Sequence, residues 1–254
     1  MNTLSLHALP GIPAIDTGDD LAVILGDALE RAELRPRDGD VLVVTHKIVS
    51  KAEGRCVSLA DVEPSKEAHA LSLETGKSPA VCQLILDESQ KVLRKRRGLI
   101  IAEHRLGMVM ANAGIDQSNV GKAEGDEHVL LLPEDPDASA AALAASLSAR
   151  FRMTLALVIS DSVGRAWRKG VVGLAIGAAK LPAVMDLRGR KDLDGRMLQV
   201  TEVGLADEIA SAAELLMGEA DEGQPAVLLR GLRLEGKAKP AKALQRPSDE
   251  DLFR

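Results

Sequence analysis

The sequence predicts a mixed α/β-type protein built around buried strands. Three observations carry that expectation. Two runs of consecutive β-favouring apolar residues, VLVVT (Val41 to Thr45) and LALVI (Leu155 to Ile159), read as central strands covered on both faces. Between and after them lie segments of helical period, Leu21 to Leu34 and Ala206 to Met217. An alanine-rich stretch, Ala138 to Phe151, is suited to close packing of a helix on a sheet.

In chain order, LPGIP (Leu9 to Pro13) reads as a rigid loop, and Asp16 to Asp20 supplies capping acids for the first helix. That helix places Leu21, Ile24, Leu25, Ala28, Leu29 and Ala32 on one face and ends at Arg35-Pro36. After the strand at Val41 comes a polar stretch, His46, Lys47, Ser50, Lys51, Glu53, Gly54 and Arg55, read as a phosphate-facing edge or a solvated loop. Helices are expected over Ser65 to Thr75 and Pro79 to Leu93. The basic run Arg94 to Arg97 is expected to be a solvated connector to a strand at Leu99 to Ala102, with Leu106 to Met110 as its hairpin partner. Pro133 to Asp137 caps the alanine-rich helix, Gly170 to Leu181 reads as tightly packed backbone, and Val184 to Leu187 as a short strand before the polar loop Gly189 to Gly195. The last long helix stops at Gly218, a glycine suited to a helix C-terminus. Ala226 to Leu229 is the last strand, and the tail from Lys237 to Arg254 is expected to be mobile unless Leu252-Phe253 docks.

Composition narrows the function. A chain of 254 residues buries a substantial core, here aliphatic, because there is one Trp (Trp167), two Phe and no Tyr. Stacking is therefore an unpromising route to binding bases, and a formal net charge of -6 argues against a general nucleic-acid binder. No apolar run has the length of a membrane span and no signal pattern opens the chain, so a soluble, cytoplasmic protein is expected. Cys56 and Cys82 have no metal-type spacing and read as reduced structural thiols.

Two stretches carry chemistry. In VISDSVGRAWRKG (Val158 to Gly170) a buried strand delivers Asp161 to its end, and Arg165, Arg168 and Lys169 follow in a cationic turn. Carboxylate and hydroxyl oxygens suit Mg²⁺ or Mn²⁺, and the cations suit phosphate, which together sketch a metal-phosphate site. In ANAGIDQSNVG (Ala111 to Gly121), Asp116, Ser118 and Asn119 offer further oxygen ligands, with an unliganded Asn/Asp turn as the rival reading. There is no G-x-x-x-x-G-K-[ST] loop, no strand-following G-x-G-x-x-G, no G-x-S-x-G elbow and no H-E-x-x-H, so P-loop, dinucleotide, serine-hydrolase and zincin chemistries are disfavoured.

LPGIP, VVTHKIVSKAEGR (Val43 to Arg55), NAGIDQSNVG (Asn112 to Gly121), ISDSVGRAWRKG (Ile159 to Gly170) and VTEVGLADEIASAAELLMG (Val200 to Gly218) together resemble the coenzyme F420-0:L-glutamate ligase family, in order from about Leu9 to Gly231. The resemblance implies an α+β fold of the family's own type, mixed sheets with flanking helices, two lobes and an interlocked dimer. It implies a single ligase domain over 1–231, a tail over 232–254 and no C-terminal flavin-binding domain. It also implies addition of L-glutamate through γ-linkage to a deazaflavin coenzyme, with GTP as energy source, Mg²⁺ or Mn²⁺ at two positions, and K⁺. Carried over, it casts Asp116 and Asp161 as divalent-metal ligands, Ser162 as a ligand of a second metal and Glu219 as a metal contact. Leu9, Pro10, Gly11, Ile12, His46, Lys51, Asn119, Met217 and Gly218 become nucleotide contacts, and Lys51, Arg165 and Arg168 hold phosphate or carboxylate oxygens. A metal-dependent phosphohydrolase and a non-catalytic nucleotide- or deazaflavin-binding protein remain as alternatives.

Overall fold

The computed structural model describes residues 3–118, 120, 127–247 and 249–252. Its elements in chain order are β1 (Ser5–Ala8), α1 (Leu21–Arg31), β2 (Val41–Thr45), α2 (His46–Ala52), β3 (Cys56–Ser58), α3 (Lys66–Thr75), α4 (Pro79–Asp87), β4 (Ser89–Arg96), β5 (Leu99–His104), β6 (Val109–Ala111), β7 (His128–Leu130), α5 (Pro136–Phe151), β8 (Ala156–Gly164), β9 (Val171–Ala179), β10 (Met185–Asp186), β11 (Glu202–Val203), α6 (Leu205–Met217) and β12 (Ala226–Arg230). Among the described residues no helix is long and apolar enough to cross a membrane.

The architecture is α+β. The principal sheet has the order β1-β12-β2-β8-β9, in which β2 and β8 pair in parallel and every other neighbour is antiparallel. The two apolar runs singled out from the sequence are that parallel pair, and each is buried on both faces. One face is covered by α1 and α5, through Leu25, Leu29, Ala140, Ala144 and Leu147, and the other by α6, through Ile209, Ala210, Ala213 and Met217. A third apolar cluster joins α3 and α4 to the antiparallel sheet β4-β5-β6.

Glycine lets the layers approach. A Cβ at Gly173 on β9 would collide with Glu214 Cγ and lie 2.7 Å from the Ala210 carbonyl oxygen, so α6 can sit this close only over a glycine. The stretch read as tightly packed backbone is thus a strand, with a helix against each face.

Several expectations are corrected. The polar stretch after β2 is not a loop: α2 follows without a break, capped by Thr45, whose Oγ1 accepts from Lys47 N at 3.5 Å. Helix α4 stops at Asp87 instead of Leu93, and Arg94 to Arg96 of the basic run lie in β4, with Arg97 in the turn that follows; the strand's exposed residues alternate imperfectly through two register shifts. Strand β8 does not stop at Ile159 but runs through Ser160, Asp161 and Ser162, because β9 supplies backbone partners there: Ala175, Leu174 and Gly173. The tail packs through residues earlier than Leu252, which is exposed: Lys239 N donates to Leu181 O at 3.0 Å, and Ala241 is buried in the second cluster. Phe253 lies outside the described residues.

Candidate active site

Parallel pairing sets Thr45 opposite Ser160, so β2 and β8 bring their carboxyl ends to one edge of the sheet, where ligands of such sheets settle. Along β8 successive side chains face opposite ways. Ser160 turns towards α6, donating to Glu214 Oε1 at 3.4 Å and lying 3.9 Å from Met217 Sδ. Asp161 turns towards α2, where its Oδ1 is 3.3 Å from His46 Nε2. The His46 ring is buried and its other nitrogen lies 3.3 Å from Ser50 Oγ, so the imidazole is enclosed between a hydroxyl and the acid.

The next residue reaches the second acid. Lys47 Nζ lies 2.6 Å from Asp116 Oδ2 and donates to Ser118 Oγ at 3.0 Å. Asp116 Oδ1 accepts from Ser118 N at 2.7 Å and Ser118 Oγ at 2.8 Å, closing an Asx turn. Burial resists ionisation of Asp116, but the Lys47 and Ser118 hydrogen bonds outweigh it and hold the carboxyl below its ordinary range. The first turn of α2 therefore ties together two acids that the sequence holds far apart.

A cleft of about 480 Å³ opens beside this turn. Its walls include Ile12, Lys47, Lys51, Ser162, Glu214, Met217, Gly218 and Glu219. Lys47 and Lys51 are four apart on α2 and so share a face. Gly218, at φ +71°, turns the chain away from α6, and the Glu222 carboxylate folds back over it to accept from Ala220 N at 2.9 Å. Burial first, then the neighbouring charges of Glu219 and Asp161, push the Glu214 carboxyl up to about 7, against the Ser160 hydrogen bond and His46. The cleft thus has a cationic wall facing an acid-rich one.

The F420-0:Gamma-glutamyl ligase family matches residues 11–231 of the chain. The chain belongs to this family. It is 44% identical over 256 residues to the coenzyme F420:L-glutamate ligase of Methanothermobacter thermautotrophicus, covering 99% of both chains. Relatives of the same description from Methanopyrus kandleri and Archaeoglobus fulgidus are 45% and 42% identical, over 99% of this chain and 98% and 96% of theirs.

Set against the family-derived expectations, the structure brings Ile12, Lys51, Ser162, Met217, Gly218 and Glu219 to one cleft, with Asp116 and Asp161 one contact behind its α2 wall. It leaves others elsewhere. Leu9 is buried in the core, with its N–H on Ala226 O at 2.9 Å, and Gly11 offers its carbonyl to Arg31 at 3.0 Å, while Pro10 is exposed beside it. Arg165 and Arg168 belong to the turn beyond Ser162. Asn119 lies outside the described residues. Glu214 was missed, and Lys47 was read only as one of the cations of a phosphate-facing edge, not as the partner of Asp116. Glu214 had a signal: an acid four residues after Ala210 and three before Met217 occupies an apolar-face position of α6. Lys47 had only its neighbourhood to a strand end.

Proposed function

We propose that this chain is a GTP-dependent ligase that joins L-glutamate through γ-linkage to coenzyme F420-0, releasing GDP and phosphate through an acyl-phosphate intermediate. The observation that carries the reading is the meeting of α2, β8 and the C-terminus of α6 around one cleft, cationic on one side and acidic on the other. Its volume lies in the range that takes a nucleotide-sized ligand.

A carboxylate is a poor electrophile at neutral pH, so the acceptor has to be phosphorylated before an amine can attack it. Lys47 and Lys51 line the cleft and hold phosphate oxygens. His46, buried, acts through its ring on Asp161 as a positioning residue, so any nucleotide contact at this position comes from its main chain. Glu214, whose carboxyl is pushed up to about 7, is only partly ionised near neutrality, and positive charge brought beside it favours the carboxylate.

The donor set fits hard divalent cations. Asp116, Asp161, Ser162 and Glu219 offer only oxygen. Among the described residues no three His, Cys, Asp or Glu side chains converge into a cage. That suits Mg²⁺ or Mn²⁺ held by one or two carboxylates together with substrate phosphates. Such ions would neutralise the charge that grows on the transferring phosphoryl group. The reading includes K⁺ beside them, Arg165 and Arg168 on the acceptor's anionic groups, a homodimer and a cytoplasmic site of action.

The test is incubation of the purified protein with coenzyme F420-0, glutamate, GTP and Mn²⁺, following product mass and phosphate release. A glutamyl mass increase that requires GTP is expected. Phosphate release that ignores glutamate would make the chain a phosphohydrolase, and binding without either product would make it a carrier.

A further inference from the structure

The turn between β8 and β9 contains the chain's single tryptophan at its tip. Trp167 is 89% exposed. Its backbone is held at φ +67°, a region that bulky L-residues rarely enter and that recurs at ligand clamps. Arg165, Arg168 and Lys169 flank it, and no acid occurs from Ser162 to Lys180, although the chain as a whole carries a formal charge of -6. Arg165 Nη2 closes the turn on Lys169 O at 3.4 Å, while its Nε is buried with no hydrogen-bond partner among the described residues. Scattered exposed aliphatic residues are ordinary on a protein surface. A lone indole in a constrained turn, flanked in sequence by three cations and near a guanidinium with one buried N–H unsatisfied, is a surface suited to a flat anionic ligand.

We propose that Trp167 is the stacking platform for the ring of the deazaflavin acceptor, with Arg165, Arg168 and Lys169 receiving the anionic groups of its side chain. The proposal rests on the ligase reading and says where that ligase holds its second substrate. The two ligands have separate places. Phosphates belong beside Lys47 and Lys51 in the cleft, whose wall on β8 is Ser162. Trp167 is five residues further on, at most about 18 Å of extended chain. A deazaflavin coenzyme carries its reacting carboxylate at the far end of a flexible anionic chain, so the ring can rest on the turn while the carboxylate enters the cleft past Ser162. Indole stacking supplies affinity for the ring and the cations fix the direction of the chain.

The experiment compares the wild type with Trp167→Ala and Trp167→Phe by equilibrium dialysis against coenzyme F420-0 without GTP, by steady-state kinetics, and by sedimentation. Trp167 is exposed, so the variants lose little packing, and thermal unfolding checks this. Trp167→Ala is expected to weaken acceptor binding and raise the acceptor KM about tenfold or more, the usual scale of a lost aromatic stack, with the KM for GTP unchanged. Trp167→Phe is expected to restore most of the loss. Wild-type affinity in Trp167→Ala overturns the proposal, as does a loss of binding that appears only together with a changed sedimenting mass, which assigns Trp167 to a contact between copies. If the wild type forms no glutamyl product, the ligase reading fails, but dialysis still decides whether the deazaflavin sits on Trp167. A wild type that neither binds the acceptor nor forms glutamyl product overturns both, and where product forms without binding in dialysis the acceptor KM of Trp167→Ala decides.

Discussion

Asp161 owes its position to strand alternation. Its neighbours Ser160 and Ser162 turn to the α6 side, leaving the acid alone on the face where α2 presents His46. Asp161→Asn keeps the size of the side chain and an oxygen for the His46 N–H, so the backbone ladder with β9 and the packing around it are preserved. A neutral amide, however, is a poor ligand for a divalent cation. On the proposed ligase reading, the expected outcome is a fall in glutamyl transfer of about 100-fold or more, with a loss of stability of about 1 kcal/mol or less. Turnover and a urea titration on the same preparation check this pair of outcomes, and normal turnover in a folded variant would remove Asp161 from the metal assignment. The residue was legible in the sequence as an acid following an apolar run. Its partner was not, because nothing local says that His46 will be buried against it.

Helices and strands differ in how far the sequence discloses them. The long periodic segments α1, α5 and α6 and the two apolar runs β2 and β8 declare themselves through burial pattern alone. Strands β1, β3 and β7 have three or four residues, too few for any period to show. The end of α4 is a tertiary decision. Apolar residues continue past it to Val92 and Leu93, yet the chain leaves the helix at Glu88, whose carboxylate is claimed from three sides. Arg55 Nη2 donates to it at 2.8 Å and Arg105 Nε at 3.0 Å, and His104 Nε2 lies 3.2 Å away. His104 Nδ1 accepts from Leu106 N at 3.0 Å, which leaves the proton on Nε2, facing Glu88. Burial opposes ionisation of Glu88, but the close approach of the His104 imidazole, the Arg55 hydrogen bond and the charges of Arg55 and Arg105 hold its pKa at about 2. The folded pKa lies below the ordinary 4.5, so between these values the unfolded chain binds more protons and stability rises with pH. The contribution is full above about 4.5 and is lost as pH falls through about 2. Glu88→Gln is expected to cost about 3 kcal/mol at neutral pH and to flatten the acid limb of the stability curve. Urea midpoints across that window read both effects, and an acid limb of equal slope in the two proteins would show that Glu88 does not carry it.

At the scale of the whole molecule, one carboxylate joins three layers. Asp137, in the first turn of α5, accepts from Ala178 N on β9 at 2.9 Å and from Ala241 N in the tail at 2.7 Å through Oδ1, and from Lys242 N at 3.1 Å through Oδ2. The sequence reads the acids of Pro133 to Asp137 as helix caps, and among them Asp135 is the cap, its Oδ1 taking Ala138 N at 3.0 Å; Asp137, inside the first turn, is released for long-range work. The tail it holds is fixed further along by Gln245 Nε2 on Leu106 O at 2.9 Å, so residues 239–245 bridge β9 to the segment before β6. Asp137→Ala leaves the Ala178 and Ala241 N–H groups without their acceptor, and Ala241 is buried, so water cannot readily replace it. The expected loss is about 2 to 4 kcal/mol, with its largest local effect in the tail. Hydrogen exchange should quicken across 239–245 and at Ala178, because those amides lose an ionic acceptor. The loop 218–224, held by Gly218 N on Glu214 O and by Glu222 over the turn, shares no hydrogen bond with Asp137 and should keep its exchange rates. Uniform acceleration over the chain would instead mean that tail, sheet and cleft open as one unit, and that the carboxylate is a clasp for the whole fold and not for its last segment.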